Sequence, residues 1–423
     1  MSATLSDQHN NELLERFLRY IKIDTQSDEE SESNPSTEKQ KDLSRLLVDE
    51  LKALGCSDAA MDERAYVFAT LASNIPADHP AHGSVPTIGL IAHVDTYPGT
   101  SGKDVKPQII ENYDGSDIHI SDDQVLEVST NPNLALCKGH TLIHTDGTTL
   151  LGADDKAGIA EIMTLIAWLN ENLGFLHPTI KIGFTPDEEI GRGADHFDVK
   201  AFGADYAYTL DGSELGEIED ETFCADTAVV KITGHDVHPG YAKDTLVNAI
   251  RVAAAIIDSI DETLLPETTE GRQPYLHPYS MSSGDVSSAE FKVLVRAFTE
   301  EELKEREDHL DEVIEQVGDC FPGAKIDIEI QESSRNMGYK IAEDPKVLDY
   351  AIEGIKKAGV EPKRQAIRGG TDGARLSFMG LLTPNIWAGG QSFHSVNEWV
   401  SLEWMSKAVE ATLEILGVWV EKS

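Results

Sequence analysis

Cysteine is scarce and scattered. Cys56, Cys137, Cys224 and Cys320 form no C-x-x-C pair and no framework spacing, which excludes a disulfide scaffold and a thiolate zinc knot and fits a reduced cytoplasm. Long hydrophobic runs are also missing: no apolar stretch approaches the ~20 residues that span a bilayer. The N-terminus, Met1-Ser-Ala-Thr-Leu-Ser-Asp-Gln-His9, has neither a basic n-region nor an apolar h-region, so no secretory signal is expected. Cations are in short supply as well. Against 75 Asp and Glu stand 35 Lys and Arg, a formal net charge of −40. Phosphate recognition needs clustered Lys and Arg, so nucleic acid and anionic membrane surfaces are excluded as partners. The acid excess reads as a very soluble enzyme with a solvated acidic face; adaptation to high salt, where self-repulsion is screened, gives the same composition.

What is present is chemistry at the ends of apolar segments. Ile180-Lys-Ile-Gly-Phe184 reads as a short buried strand, and it opens into Thr185-Pro-Asp-Glu-Glu-Ile-Gly-Arg-Gly193. Glu188 and Glu189 stand side by side where the strand stops. On extended backbone such neighbours point opposite ways, one toward a metal and one toward a water. The same form recurs. Ile88–Ala92 ends in His93-Val-Asp95, Leu150–Ala153 runs into Asp154-Asp155-Lys156, Ala207–Leu210 runs into Asp211-Gly212, and Gly389–Phe393 leads to His394. In an open α/β sheet, ligands sit at the carboxyl ends of strands. Carboxylate oxygen with imidazole nitrogen, and no thiolate, suits zinc, manganese or cobalt in a hydrolytic site.

With 423 residues the chain has length for two domains, each with its own core. Amphipathic helices are predicted over 11–23 and 38–54, strands over 66–71 and 87–92, and an apolar helix over 157–169. This alternation is that of an α/β layer fold. The stretch from Tyr97 to Thr149 breaks it with short β-like pieces and turn residues, a hairpin-rich insertion expected to wall one side of the site. From about Phe223 the pattern becomes β-α-β-α-β, with strands over 226–233, 290–298 and 324–330 and a Pro-, Gly- and Ser-rich central loop with room for one more. That is a ferredoxin-like α+β unit holding none of the five candidate ligands. The expected organisation is a discontinuous catalytic domain, 1–223 and 335–423, with a mixed sheet flanked by helices, interrupted by an inserted domain over 224–334.

His93-Val-Asp95, Gly152-Ala-Asp-Asp-Lys156, Asp187-Glu-Glu-Ile-Gly191, Asp211-Gly212, His238-Pro-Gly240 and Arg368-Gly-Gly-Thr-Asp-Gly373 resemble the di-zinc aminopeptidase and deacylase family of metallopeptidases. Two further phrases, Gly102–Asn112 and Gly152–Gly158, resemble its tripeptide-cleaving branch. The resemblance covers nearly the whole chain. It implies two Zn²⁺ per subunit, with Co²⁺ or Mn²⁺ as substitutes: one on His93, Asp154 and Asp211, the other on Asp154, Glu189 and His394. It implies Glu188 as general base, Asp95 orienting His93, and a cis peptide between Asp154 and Asp155. His238, in the inserted domain, would polarise the oxyanion, often in the partner subunit's site, so a homodimer through this lid-like domain is expected. Arg368 suits a peptide C-terminal carboxylate, with Arg296 and Asn248 as further candidates. The implied activity is release of the N-terminal residue from tripeptides in the cytoplasm. The alternative is a related deacylase or dipeptidase acting on N-acyl amino acids or dipeptides.

Overall fold

The apolar runs that end in acidic or imidazole residues are strands, and they lie side by side. In the computed structural model, which describes residues 3–121 and 123–423, Ile180–Thr185, Ile88–His93, Tyr206–Gly212 and Asn385–Trp387 form the centre of an eight-stranded sheet and run parallel. Parallel neighbours bring their carboxyl ends to one edge, so His93, the Glu188–Glu189 turn and Asp211 emerge together. The register pairs Ile88 with Ile180 and with Tyr206, which sets His93 opposite Thr185. Val67–Leu71 adds antiparallel to Ile180–Thr185, and Glu217–Thr222 antiparallel to Asn385–Trp387, making the sheet mixed.

Every residue of Ile88–His93 is buried, as expected for a strand covered on both faces. On one face lies the helix Ala153–Glu171, packed against Ile88–His93 and Tyr206–Gly212 and itself covered by helices Asp7–Tyr20 and Leu402–Glu421. Its burial along almost its whole length explains the apolar composition read from the sequence. A Cβ on Gly158 would sit 1.9 Å from the carbonyl oxygen of Leu210. Glycine there lets the helix Ala153–Glu171 approach the strand Tyr206–Gly212 at Leu210. On the other face Tyr66, Phe197, Phe202 and Leu376 pack over Ile91 and Ala207.

These elements belong to one compact unit, Met1–Asp220, Tyr339–Gln365 and Thr371–Ser423. In the insertion, Gln108–Ile110 and Leu142–His144 join Trp399–Ser401 and Gly390–Gln391 in a small sheet, and Ile118–His119 pairs with Val125–Leu126. A 3-10 helix, Pro132–Cys137, had no signal in the hydrophobic pattern.

The second unit comprises Glu221–Gly338 and Ala366–Gly370. Its strands Tyr275–Asp285, Ser288–Ala297, Cys224–Thr233 and Lys325–Ser334 form an antiparallel sheet in that order, with helices Ala249–Asp258 and Glu300–Cys320 in the chain between them. That is the ferredoxin-like arrangement. Tyr275–Asp285 fills the space the sequence left for one more strand. Its outer residues are exposed from Tyr279 onward, so it lacks the apolar alternation that marks a half-buried strand. Residues 366–370, assigned by sequence to the catalytic domain, cluster with this unit, where Arg368 finds its partners.

No helix among the described residues is long and apolar enough to cross a membrane, and none of the four cysteines is in a disulfide. One buried group works against stability. Glu161 is fully buried on the helix Ala153–Glu171, and neither carboxyl oxygen has a hydrogen-bond partner among the described residues. Burial pushes its pKa well above the ordinary 4.5. A carboxyl raised in this way favours the folded state below its unfolded pKa and loses that contribution as pH rises. Glu161→Gln should therefore match the wild type near pH 4 and be more stable by about 1–3 kcal/mol near pH 8. Denaturant unfolding at both pH values checks this; an equal gap at the two would mean that Glu161 is not neutral in the native state.

Candidate active site

Strand ends alone do not aim side chains; the buried acids around them do. Asp95, fully buried, accepts the backbone N–H of Glu188 at 3.0 Å through Oδ1 and that of Glu189 at 3.2 Å through Oδ2. Its carbonyl lies 3.1 Å from His93 Nδ1, and its Oδ1 3.4 Å from the same nitrogen. Two acceptors at Nδ1 hold a proton there and leave Nε2 as the outward donor atom. Asp95 thus contacts His93 and also holds the backbone of both glutamates, which spacing did not reveal.

The glutamate pair is not on extended backbone. Asp187 takes φ 59°, and Glu188–Ile190 forms a 3-10 turn, so the expectation of opposite-facing neighbours does not hold. The cause is the clamp on Asp187, whose carboxylate accepts from Ser36 N at 2.7 Å, Ser36 Oγ at 2.5 Å and Gln40 Nε2 at 2.6 Å. Both glutamates face the cluster. Donor atoms of His93, Glu188 and Asp211 lie within 4.8 Å of one another, as do those of His93, Asp154 and Glu189.

Asp154 sits between two imidazoles. Its Oδ1 is 2.8 Å from His93 Nε2, and its Oδ2 is 3.2 Å from His394 Nε2. His394 Nε2 is also 2.8 Å from Glu189 Oε2, and His93 Nε2 is 3.6 Å from Asp211 Oδ1. The peptide between Asp154 and Asp155 is cis. Asp155, buried, accepts the backbone N–H of His93 at 3.1 Å. His394 has φ 61°, and its ring is stacked on Tyr97 with centroids 4.1 Å apart and planes 2° from parallel. Thr100 Oγ1 donates to its carbonyl.

The electrostatics are those of a site built around positive charge. Burial, together with the charges of Asp211, Asp372 and Glu189, pushes Glu188 well above the usual carboxylate range against the pull of His93. Burial, helped by Asp154, lifts Glu189 to about 8. Asp211 is raised by burial to about 6. Burial would raise Asp154 too, but hydrogen bonds from His394 and His93 hold it low. His394, against its burial, is raised to about 10 by Asp154 and Glu189. Glu188, Glu189, Asp154, Asp211 and Asp372 act on one another here, and Glu189 Oε1 has no hydrogen-bond partner among the described residues. An oxygen-rich set with two imidazoles and an orphaned buried carboxylate oxygen fits divalent cations of the zinc, manganese or cobalt type.

The structure therefore brings His93, Asp95, Asp154, Glu188, Glu189, Asp211 and His394 together in the first unit. His238, Asn248, Arg296 and Arg368 lie in the second. His238 is exposed beside a 3-10 turn, its Nδ1 accepting from Gly240 N at 3.1 Å. Asn248 caps the helix Ala249–Asp258, accepting from Arg251 N. Arg296 donates to the carbonyls of Asp226 and Val295. Arg368 donates to the carbonyl of Gly271 at 2.8 Å and to Thr269 Oγ1 at 2.9 Å, lying over the rings of Phe223 and Tyr275. In this structure both arginines have partners within their own unit. Sequence reasoning missed Tyr97, the Asp187 clamp and Glu398, which accepts the N–H groups of Leu151, Gly152 and Asp154. Glu398 lies four residues past His394, but nothing in that spacing points to its partners.

Known proteins resemble this chain. Residues 140–417 match the family described as Peptidase family M20/M25/M40. A protein of Clostridium perfringens named Peptidase T is 45% identical over 408 residues, covering 96% of this chain and 99% of the relative. A tripeptidase structure from Staphylococcus aureus superposes with a TM-score of 0.75 at 24% identity, covering 97% of this chain and 99% of that one. A Bacillus subtilis structure described as a dinuclear metal-binding peptidase gives a TM-score of 0.64 at 15% identity, covering 99% and 100%. At such identities the two structures speak to the fold alone. It is the 45% identity along almost the full length, joined to the family match, that decides membership: the chain belongs to Peptidase family M20/M25/M40.

Proposed function

We propose that this chain is a zinc-dependent aminopeptidase that releases the N-terminal residue from tripeptides. The observation that carries this reading is Asp154, whose two oxygens face two different imidazoles while Glu188 stands beside one of them, that of His93. His93, Asp154 and Asp211 would hold one cation, and Asp154, Glu189 and His394 the other. Bound there, such a pair would supply Lewis-acid polarisation of the scissile carbonyl and a lowered proton affinity for a water near neutral pH. Glu188 accepts the proton of the attacking water and passes it to the leaving amine, a task suited to a carboxylate whose burial raises its basicity. Asp95 keeps that carboxylate in place through its backbone N–H. The 45%-identical relative named Peptidase T supports the choice of reaction.

The substrate's ends supply the specificity. A free α-ammonium is drawn to the acid-rich site. Its C-terminal carboxylate is assigned to a donor of the second unit, Arg368 first, with Arg296 and Asn248 beside it. His238 is assigned to the oxyanion, and the chain to a homodimer formed through the unit that carries it, acting in the cytoplasm, where cysteines outside disulfides persist. Sedimentation giving the mass of a single 46.3 kDa chain at working concentration would remove the dimer.

A panel of free, N-acetylated and C-amidated tripeptides tests the activity. Each blocked end removes a charge-assisted contact of about 1.5–3 kcal/mol, so kcat/KM should fall roughly ten- to two-hundredfold for either. Arg368→Ala should depress free acids by a similar factor and leave amides almost unchanged. If N-acetyl peptides are cleaved as fast as free ones, the aminopeptidase reading gives way to a deacylase.

A further inference from the structure

Glu398 lies in the loop between the short strands Gly390–Gln391 and Trp399–Ser401, the same loop that carries His394. It is 1% exposed. Burying a carboxylate is costly unless hydrogen bonds satisfy it, and here the donors are all backbone. Oε2 accepts from Leu151 at 2.7 Å and Gly152 at 2.8 Å, and Oε1 accepts from Asp154 at 3.1 Å. The segment that leads to Asp154 needs such a partner. Leu151 and Gly152 belong to neither strand nor helix, so their N–H groups have no ladder to join, while that of Leu150 donates to the carbonyl of Ser101. Gly152, at φ 80°, turns the chain there. Asp154 then points Oδ1 at His93 and Oδ2 at His394. One loop therefore supplies His394 and also the carboxylate that holds the backbone of its partner, Asp154.

We propose that Glu398 is a positioning residue for the second cation: by clamping Leu151, Gly152 and Asp154 it fixes Asp154 against His394 and so sets the affinity of the site formed by Asp154, Glu189 and His394. This rests on the two-metal reading above. The clamp requires a carboxylate, because three donors converge on two acceptor oxygens. A glutamine would offer one acceptor and turn an NH₂ group toward an N–H, and an aspartate falls one methylene short. The first cation's other ligands, His93 and Asp211, are anchored elsewhere, His93 through Asp95 and Asp155 and Asp211 through Asn385, whose Oδ1 accepts its N–H at 3.1 Å. Weakening should therefore be uneven between the two sites.

The test is Zn²⁺ titration of the metal-stripped full chain against a competing chelator, for the wild type, Glu398→Gln and Glu398→Asp, with the unfolding midpoint of each metal-free protein. Glu398→Gln should bind the first cation within about threefold of the wild type and the second about 10–100-fold more weakly, the usual cost of losing an outer hydrogen-bond partner of a metal ligand. Its metal-free midpoint should stay close to that of the wild type. Should the glutamine variant fail to fold, Glu398→Asp carries the same expectation with a smaller loss. Unchanged affinity for the second cation would overturn the proposal. So would equal weakening of both sites together with a lowered metal-free midpoint, which would make Glu398 a support of the fold. A wild type that binds fewer than two cations would instead sink the two-metal reading, and this inference with it.

Discussion

Glu188→Gln is expected to bind as much metal as the wild type while tripeptide turnover falls by about 10²–10⁴-fold. Glutamine keeps the volume of the side chain. Asp95 still accepts the backbone N–H of residue 188, because that bond does not involve the side chain. What disappears is the proton acceptor. Burial and the charges of Asp211, Asp372 and Glu189 raise the Glu188 carboxyl, the direction that improves a base for work near neutral pH. Metal analysis and kinetics on the same preparation separate the outcomes. Glu188 also lies within 4.8 Å of donor atoms of His93 and Asp211, so joint loss of a cation and activity would move it into the ligand set. Retained activity would place the proton transfer on another group. The variant also reports on His238: mixed with His238→Ala chains, also expected to be inactive, it should recover activity if the histidine serves the partner's site. Absence of recovery in proven mixed dimers would place His238 in cis or outside catalysis.

How much of this site can be read from the sequence depends on how local each signal is. His93 and Asp211 follow directly on apolar runs and Glu189 stands five residues after Phe184, and a short buried run closed by an acid or an imidazole is a near-contiguous pattern. The parallel sheet then gathers the run ends without further instruction, so these site residues are legible. Asp154 is legible as a residue but not as a geometry, since the segment before it is an irregular stretch and not a strand. The turn at Asp187 is illegible, because its cause lies in Ser36 and Gln40, about 150 residues earlier. The same holds for Glu398, whose partners are 244 to 247 residues away, and for the stack of Tyr97 on His394. Long-range hydrogen bonds leave no periodicity in a chain. The inserted unit shows the opposite failure. Tyr275–Asp285 is a strand by backbone pairing alone, with an exposed face that reads as loop. For Arg368, the residue type suits a peptide carboxylate, whereas Phe223 and Tyr275 lie against its planar face and three acceptors, Gly271, Gln273 and Thr269, take up its donors.

Asp154→Asn should cost both cations, and with them activity by roughly a thousandfold or more. Bound cations contribute several kcal/mol of transition-state charge stabilisation, and each 1.4 kcal/mol is a factor of ten in rate. The substitution is nearly isosteric, and the Asp154 N–H still reaches Glu398, so the fold should survive. The change falls on the two oxygens. At present one faces His93 at 2.8 Å and the other His394 at 3.2 Å, and a carboxylate can give each cation an anionic donor. The amide has one neutral oxygen and an NH₂ group that is no ligand, so at least one site loses its shared anion and the other loses charge. His394→Ala supplies the contrast. His394 touches Asp154 and Glu189 but has no contact with Asp211 among those that define the first site, so its removal should release one cation and spare the one on His93 and Asp211. Metal content after gel filtration in metal-free buffer distinguishes the variants. Two cations still tightly bound to Asp154→Asn would rule out a shared carboxylate. Two lost from His394→Ala would mean that the pair binds as a unit, with no site occupied unless both are.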